Sequence, residues 1–566
     1  MKNRLKNIAE SPIFWAFFLF WYLSGATELL LALSGVSSLE GFKDATLASA
    51  LWLIPLMLRP TKAKKIAGVI GIFIWLSALP GFGYFLIYRQ ELTQSLLYII
   101  FESNTMESKE YLQNYFSFSV LLGFIVFSLM PYFIWRNIQA FQLTFKKAAW
   151  VSAGLFSLIF LSPSIKAVNA QSITPAYKSL DRHLSVAPPW QLGFGYINYQ
   201  TELNEVEQNL LQLNKIPPLE NLSEAAKPLP TTVVLVIGES TNRLHMGLYG
   251  YPRDTNPKLK SIASELKLFN NVFASRPNTI ESLEQVLTFA DQEHPDWYKT
   301  KPSLIAMMKQ AGYKTIWISN QQTLTARNTM LTTFAKQTDQ QIFLNTTRKQ
   351  NAYSFDEKVL APYVDALKVK AEKKFIVVHL LGTHMKYNYR YPENADFFKT
   401  SEDLPSTLSD AQKETINAYD NAIRYNDHIV YTLIKNLKAQ QQHSLLVYFS
   451  DHGDDVFDSG TRDFQGRNEG KPTYPMYAVP FVVWHSTDWF NRALLNDQKI
   501  FHRQYDNADF IYTWSELLGL RYQGYLAHES IVNPSFLEDQ ILVGDPYQKH
   551  LSLLEGTRDV ARHLHD

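Results

Sequence analysis

The chain has 566 residues, with 54 Lys and Arg against 53 Asp and Glu for a net charge of +1, no cysteine, and a mean hydropathy of −0.16. That length exceeds one ordinary domain, and so even a charge balance argues against a nucleic-acid partner. The missing cysteines exclude disulfides, thiolate zinc ligands and a cysteine nucleophile.

The mild hydropathy averages two unlike parts. Apolar stretches crowd the first 165 residues, and five of them, Ile13–Leu33, Phe42–Leu58, Ile66–Tyr88, Phe116–Trp135 and Ala148–Ser164, approach the roughly 20 residues that cross a bilayer. The second is the weakest case, since it is short and contains Pro55. Basic residues flank alternate ends: Lys2, Arg4 and Lys6, then Arg59, Lys62, Lys64 and Lys65, then Arg136, Lys146 and Lys147. The intervening loops hold Glu40 and Asp44, then Glu91, Glu102, Glu107 and Glu110. The positive-inside rule therefore predicts a cytoplasmic N-terminus, and five spans carry everything after about residue 165 out of the cytoplasm. The first span is long and leads into others, so it reads as a retained anchor and not a cleaved signal. Residues 1–165 are thus expected to form a multi-pass membrane domain.

Residues 166–230 read as a connector. Pro188 and Pro189, the aromatic stretch Phe194–Tyr199 and a helical run over Glu202–Leu213 suit either an amphipathic bridge at the membrane surface or a soluble helix packed on the next domain. Pro217, Pro218, Pro228 and Pro230 mark its end. From 231 to 566 strands and helices alternate: strands at Val233–Ile237, Thr315–Ser319, Phe375–Leu381, Ser444–Phe449 and Phe481–Trp484, and helices over Ile280–Thr288, Lys301–Gln310 and Ala411–Leu437. That order predicts an exported α/β domain with a largely parallel sheet.

Two of these strands end in metal-type ligands. VVLVIGEST (Val233–Thr241) closes on Glu239, and LLVYFSDHGDD (Leu445–Asp455) on Asp451 and His452. Ligands of open α/β sheets bind beyond the carboxyl ends of the strands, so the three residues can converge despite their separation. Two carboxylates and an imidazole with one position left open suit catalytic zinc. Either string alone also reads as a helix cap or an Asx-turn. In SRPNTIESLEQVLTF (Ser275–Phe289), Thr279 stands where a helix begins, a natural phosphate site and a place for a metal-activated hydroxyl nucleophile; a plain cap by Asn278 or Thr279 is the other reading. In GTHMKYNYRYP (Gly382–Pro392), His384 lies just beyond a strand end, where it could hold a phosphate oxygen or protonate a leaving group, whereas His379 reads as a packed core histidine. The loop QGRNEG (Gln465–Gly470) can reach the same crevice, with Asn468 as a substrate contact.

GESTNRLHMGLYGYPRDTNP (Gly238–Pro257), RPNTIESLEQVLTFA (Arg276–Ala290), HLLGTHMKYNYRYPEN (His379–Asn394), YDNAIRYNDH (Tyr419–His428) and SDHGDDVFDSG (Ser450–Gly460) together resemble the bacterial phosphoethanolamine transferases, of the alkaline-phosphatase/sulfatase-like superfamily. FESNTMESKEYL (Phe101–Leu112) is similar to the family's membrane-adjacent Asn-Thr-x-Glu stretch. The likeness is greatest to the subgroup that modifies lipopolysaccharide core heptose, where Arg-Pro-x-Thr-Ile and Gly-Arg-Asn-Glu strings are typical. It implies zinc on Glu239, Asp451 and His452, with Thr279 as fourth ligand and nucleophile. It also implies phosphatidylethanolamine as donor, helped into place by Asn104 and Glu107, and a lipopolysaccharide acceptor. The chain departs from the lipid A-modifying branch in lacking that branch's cysteines and in carrying Arg467-Asn468 near a second-site histidine. Both departures point away from lipid A, and the second weighs against a second zinc without closing it out. A polyglycerolphosphate-type transferase, a phosphodiesterase of the same superfamily and an inactive membrane scaffold are the alternatives. A sulfatase would need Cys or Ser in a C/S-x-P-x-R string, which is absent.

Overall fold

The computed structural model describes residues 12–34, 39–89, 92, 97, 100–101, 117–141, 144–213, 216–225, 230–322, 333–345, 354–460, 462, 464–547 and 552–554. Asn104 and Glu107 lie outside them. The chain divides into two compact units, Met1–Asn204 and Glu205–Asp566, so the stretch read as a connector is shared between them.

The first unit holds α1 (Pro12–Leu33), α2 (Leu39–Leu51), α3 (Leu53–Leu58), α4 (Ala63–Tyr88), α5 (Phe118–Arg136) and α6 (Phe145–Ala170), followed by α7 (Thr174–Leu184) and the first part of α8 (Trp190–Leu213), whose end belongs to the second unit. Among the described residues five helical stretches are long and apolar enough to cross a membrane: Pro12–Leu33, Leu39–Leu58, Pro60–Tyr88, Phe118–Arg136 and Phe145–Ala170. The second is interrupted at Trp52. Pro55 explains the break, since its ring crowds the carbonyl four residues back and it has no N–H to donate. Leu19, Phe20 and Leu23 of α1, Ile74 and Phe82 of α4 and Phe127 of α5 form the shared core, with Phe82 and Phe127 stacked at 4.1 Å. By contrast Leu121, Leu122, Ile125, Val126, Leu129 and Phe133 of α5 are exposed, an apolar face of the kind lipid covers. Leu180 and Leu184 of α7 pack with Ala45, Ala48 and Leu51 of α2.

The second unit is built on seven strands: β1 (Thr231–Gly238), β2 (Leu266–Phe269), β3 (Lys314–Gln322), β4 (Gln340–Asn345), β5 (Lys373–His379), β6 (His443–Ser450) and β7 (Phe481–His485). Their order in the sheet is β2-β7-β6-β1-β5-β3-β4. β6, β1, β5, β3 and β4 run parallel, and β7 is antiparallel to both neighbours. The sheet is therefore largely parallel, as expected, with Phe481–His485 running against its neighbours. Among the described residues the only helix between it and β6 is the one-turn Tyr474–Tyr477, and without a crossover helix on one face the chain returns antiparallel.

Every residue of β1 is buried because both faces of the sheet are covered. Val233, Leu235, Ile237, Val377 and Val447 share one core with α9 (Thr279–Val286) and α10 (Leu304–Gln310). Val234, Val236, Ile376, Val378 and Leu446 share the other with α11 (Asp410–Lys438). Strand side chains alternate faces, so two covered faces demand an unbroken apolar run. α11 starts at a capping box between Ser409 and Gln412, and this long helix delivers Tyr419 to the end of β1.

Candidate metal centre

The parallel ladder pairs Gly238 of β1 with Ser450 of β6, so the next residues, Glu239 and Asp451, leave the sheet side by side. Ligand atoms of Glu239, Asp451 and His452 all lie within 4.8 Å of one another, and all three residues are buried. His452 Nε2 is 3.1 Å from Glu239 Oε1 and 3.3 Å from Asp451 Oδ2. The His452 Nδ1 lies 3.0 Å from the Gly453 carbonyl. Donation there assigns the proton to Nδ1 and leaves the Nε2 lone pair for the site.

Ser240 makes this geometry. Its φ of 57° is left-handed, rare for a residue with a side chain. Its N–H donates to Asp451 Oδ1 (3.1 Å), its hydroxyl to Glu239 Oε1 (2.8 Å), and its carbonyl accepts the Tyr419 hydroxyl (2.7 Å). The two Asp451 oxygens have separate duties. Oδ1 also accepts the His452 N–H at 2.7 Å, while Oδ2 is buried with no hydrogen-bond partner. A buried carboxylate oxygen left without a donor, beside a second carboxylate and a neutral imidazole, fits a divalent cation. Gly382 closes the other side, with φ +54° and its Cα so near Glu239 that a Cβ would stand 2.7 Å from that residue's backbone N and O.

Burial pushes the Asp451 carboxyl well above its usual range, and the Glu239 charge adds to it. Burial acts the same way on Glu239, but its neighbours His452, His384 and Arg467 outweigh it and hold Glu239 well below. Burial and Arg467 take His452 down to about 4, so its imidazole is neutral and ready to ligate.

Thr279, 8% exposed, is the first residue of α9. Its Oγ1 donates to Glu239 Oε2 at 3.0 Å and lies 3.3 Å from His452 Nε2. Asn278 makes no side-chain cap, so the plain-cap reading of this turn does not describe it. Ser282, one turn on, ties α9 to the site by donating to the Asp451 carbonyl at 2.6 Å. His384 is half-buried on the loop after β5, and its charge bears on Glu239. His379 is fully buried, and burial takes it down to about 4. Asn468 is buried, but its side-chain carbonyl accepts the Gly470 N–H at 2.9 Å, which folds its own loop.

The structure adds contributors to which sequence reasoning gives no place in the site. Gln321 donates to Glu239 Oε2 at 3.1 Å and to the Leu380 carbonyl at 2.9 Å; it stands at the carboxyl end of β3, so the strand-end rule would have found it. Tyr419 braces Ser240 from α11. Arg467 places its guanidinium against His452 Nε2, 3.7 Å from Glu239 Oε1, with its Nε 3.3 Å from Asp454 Oδ1. Burial pushes Asp454 up to about 7 against the pull of Arg467. Arg276 Nε meets Glu469 Oε1 at 2.5 Å, a buried ion pair that joins the Thr279 loop to the QGRNEG loop.

Behind the Glu239 loop, His245 lies between Asp420 (2.7 Å) and Asp458 (2.9 Å). Burial lowers its pKa, but the two carboxylates prevail and raise it from 6.5 to about 10. The imidazolium thus stabilises the fold fully below pH 6.5, and that contribution is lost as pH rises towards about 10. The slope is about 1.4 kcal/mol for each pH unit in which only the folded state holds the proton. Denaturant unfolding of the wild-type protein is expected to show this decline between pH 7 and 10, and His245→Asn to flatten it. A flat wild-type profile would mean that His245 is held neutral.

A site of this make-up at the end of a mostly parallel sheet places the second unit among sulfatase-type α/β domains, and the Sulfatase family model matches residues 231–520. The phosphoethanolamine transferase EptC of Escherichia coli (strain K12) is 44% identical over 557 residues, 96% of each chain. The chain belongs to the phosphoethanolamine transferase family. A crystal structure of the C-terminal periplasmic domain of E. coli EptC in complex with Zn matches with a TM-score of 0.58 at 49% identity, covering 61% of this chain and 99% of that one. Lipooligosaccharide phosphoethanolamine transferase A of Neisseria meningitidis, an integral membrane protein, shares the fold with a TM-score of 0.61 at 18% identity, covering 91% of this chain and 97% of its own.

Proposed function

We propose that the chain transfers phosphoethanolamine from phosphatidylethanolamine to a lipopolysaccharide acceptor, core heptose, through a covalent phosphoethanolamine-threonine at Thr279. The observation that carries this reading is the approach of Thr279 Oγ1 to Glu239 Oε2 (3.0 Å) and His452 Nε2 (3.3 Å). Glu239, Asp451 and His452 would hold one zinc, with Thr279 as fourth ligand. When bound, it lowers the pKa of the threonine hydroxyl and balances charge on the phosphoryl oxygens.

Thr279 Oγ1 forms a bond to phosphorus as the bond to the diacylglycerol oxygen breaks. The threonine loses its proton and the departing diacylglycerol gains one. In the second step an acceptor hydroxyl replaces Thr279 on phosphorus and the proton returns. His384, beside the site, holds a phosphoryl oxygen or protonates the leaving oxygen. Arg467 is a fixed cation at the same edge, and Asn468 shapes the loop that carries it. Asn104 and Glu107 are assigned to the donor headgroup through the resemblance alone.

Protein given phosphatidylethanolamine and no acceptor is expected to become heavier by one phosphoethanolamine at Thr279, read by intact-protein and peptide mass spectrometry. An adduct on another residue, or none under turnover conditions, would exclude the threonine intermediate. The reading also places the chain in the inner membrane with a cytoplasmic N-terminus and a periplasmic second unit. A reporter fused after Asp566 should be active only outside the cytoplasm, and one fused within Arg59–Lys65 only inside. The reverse pattern would separate the site from its lipid acceptor.

A further inference from the structure

Glu281 is the third residue of α9, the helix that Thr279 opens. An acid at this position ordinarily reaches back to the N-cap and closes a capping box. No such box forms here: Asn278 makes no side-chain cap, and Glu281 Oε2 is buried with no hydrogen-bond partner. Side chains on a helix tilt towards its N-terminus, so the carboxylate is carried back towards the end where Thr279 stands. Arg276, three residues before Thr279, feels its charge, in keeping with that direction.

Arg276 does not neutralise it. The Arg276 Nε is committed to Glu469 Oε1 at 2.5 Å, and the charges of Glu469, Glu281 and Asp545 all bear on that one guanidinium. Three carboxylates against one cation leave the cluster negative. Tyr477 brings a second unmatched group. It is fully buried, its hydroxyl has no hydrogen-bond partner, and it is close enough to feel the charges of Glu469 and Arg276. A carboxylate oxygen and a phenol oxygen, both buried without a donor beside excess negative charge, suit a cation that brings its own N–H groups.

We propose that Glu281 is the counter-ion of the primary ammonium of the phosphoethanolamine group, with the Tyr477 hydroxyl as a second acceptor, while the phosphoryl end lies at Thr279. The choice of that cation rests on the donor assigned above. It gives the two residues a role in specificity. The metal ligands and Thr279 meet only the phosphoryl end and would treat any phosphodiester alike. A glycerol headgroup would keep those contacts and bring no cation to Glu281.

The test uses the full chain carrying Thr279→Ala, so that bound lipid is not consumed. Calorimetric titration in one detergent with short-chain phosphatidylethanolamine, then with short-chain phosphatidylglycerol, gives the two affinities separately. The parent should bind phosphatidylethanolamine more tightly. Adding Glu281→Gln, nearly the same shape without the charge, should weaken that lipid about tenfold, as expected for one lost charge-assisted hydrogen bond, and leave phosphatidylglycerol unchanged. Adding Glu281→Asp instead, which keeps the charge on a shorter arm, should retain part of the preference. A loss confined to phosphatidylethanolamine in Glu281→Gln supports the subsite. A parent without preference, a Glu281→Gln protein that keeps the parent's preference, or an equal fall for both lipids in Glu281→Gln and Glu281→Asp overturns it. Neither transfer nor adduct formation is read, so each of these results leaves the Thr279 chemistry to its own test.

Discussion

Thr279→Ala is expected to abolish transfer, by about a thousandfold or more, while the protein stays folded and membrane-inserted. The side chain makes one short hydrogen bond, to Glu239, and does not cap its helix, so its loss should cost only about 1 kcal/mol of stability. The loss of turnover follows from the removal of the atom that bonds to phosphorus; deleting a catalytic nucleophile costs far more than deleting a binding contact. Thr279→Ser should keep part of the activity, because the hydroxyl remains although the methyl that restricts its rotamer is gone. Transfer to a fluorescent acceptor, measured beside the melting temperature of each variant, decides the matter. A stable Thr279→Ala protein with substantial turnover would show that the covalent route is wrong.

The second large effect is expected at Asp451. Wild-type protein should carry about one tightly held zinc per chain, and Asp451→Ala should lose both the metal and the activity. Alanine also strips the acceptor from the Ser240 and His452 N–H groups, so that variant mixes metal loss with collapse of the loop. Asp451→Asn separates the two. Its amide oxygen can take the place of Oδ1 on those N–H groups, while an NH₂ replaces Oδ2 and offers no lone pair to a cation. Zinc affinity, read by competition with a chelator, should fall by more than the roughly 10–100-fold typical of losing an outer-shell partner, with the fold intact by circular dichroism. Full activity in exhaustively chelated, zinc-free protein would rule out the metal-centred chemistry.

Where the covered sheet dictates the pattern, the sequence is readable. β1 and β6 have to be apolar at every position because both faces are buried, and the parallel register then sets Glu239 beside Asp451. The edges carry no such demand. β2 is four residues long and β4 opens with the exposed Gln340 and Gln341, so neither shows a run that stands out. The antiparallel turn of β7 depends on the lack of a crossover helix, which strand composition does not encode. Within the site, the ligands and Thr279 are legible as strand-end acids and a helix-start hydroxyl. Tyr419 and Glu469 are not, because each acts through a partner far away in the chain: Ser240, 179 residues off, and Arg276, 193 residues off.

Gly382 has no functional group, yet its place against the Glu239 backbone has a consequence for inheritance. Any side chain there must displace the peptide that carries a candidate metal ligand, and the left-handed backbone adds its own strain. Drift at this codon is therefore closed in a way that drift at most surface codons is not. Among descendants of this gene that keep the proposed chemistry, position 382 should be as invariant as the candidate metal ligands, and lineages that lose it should be found among those that have abandoned the reaction.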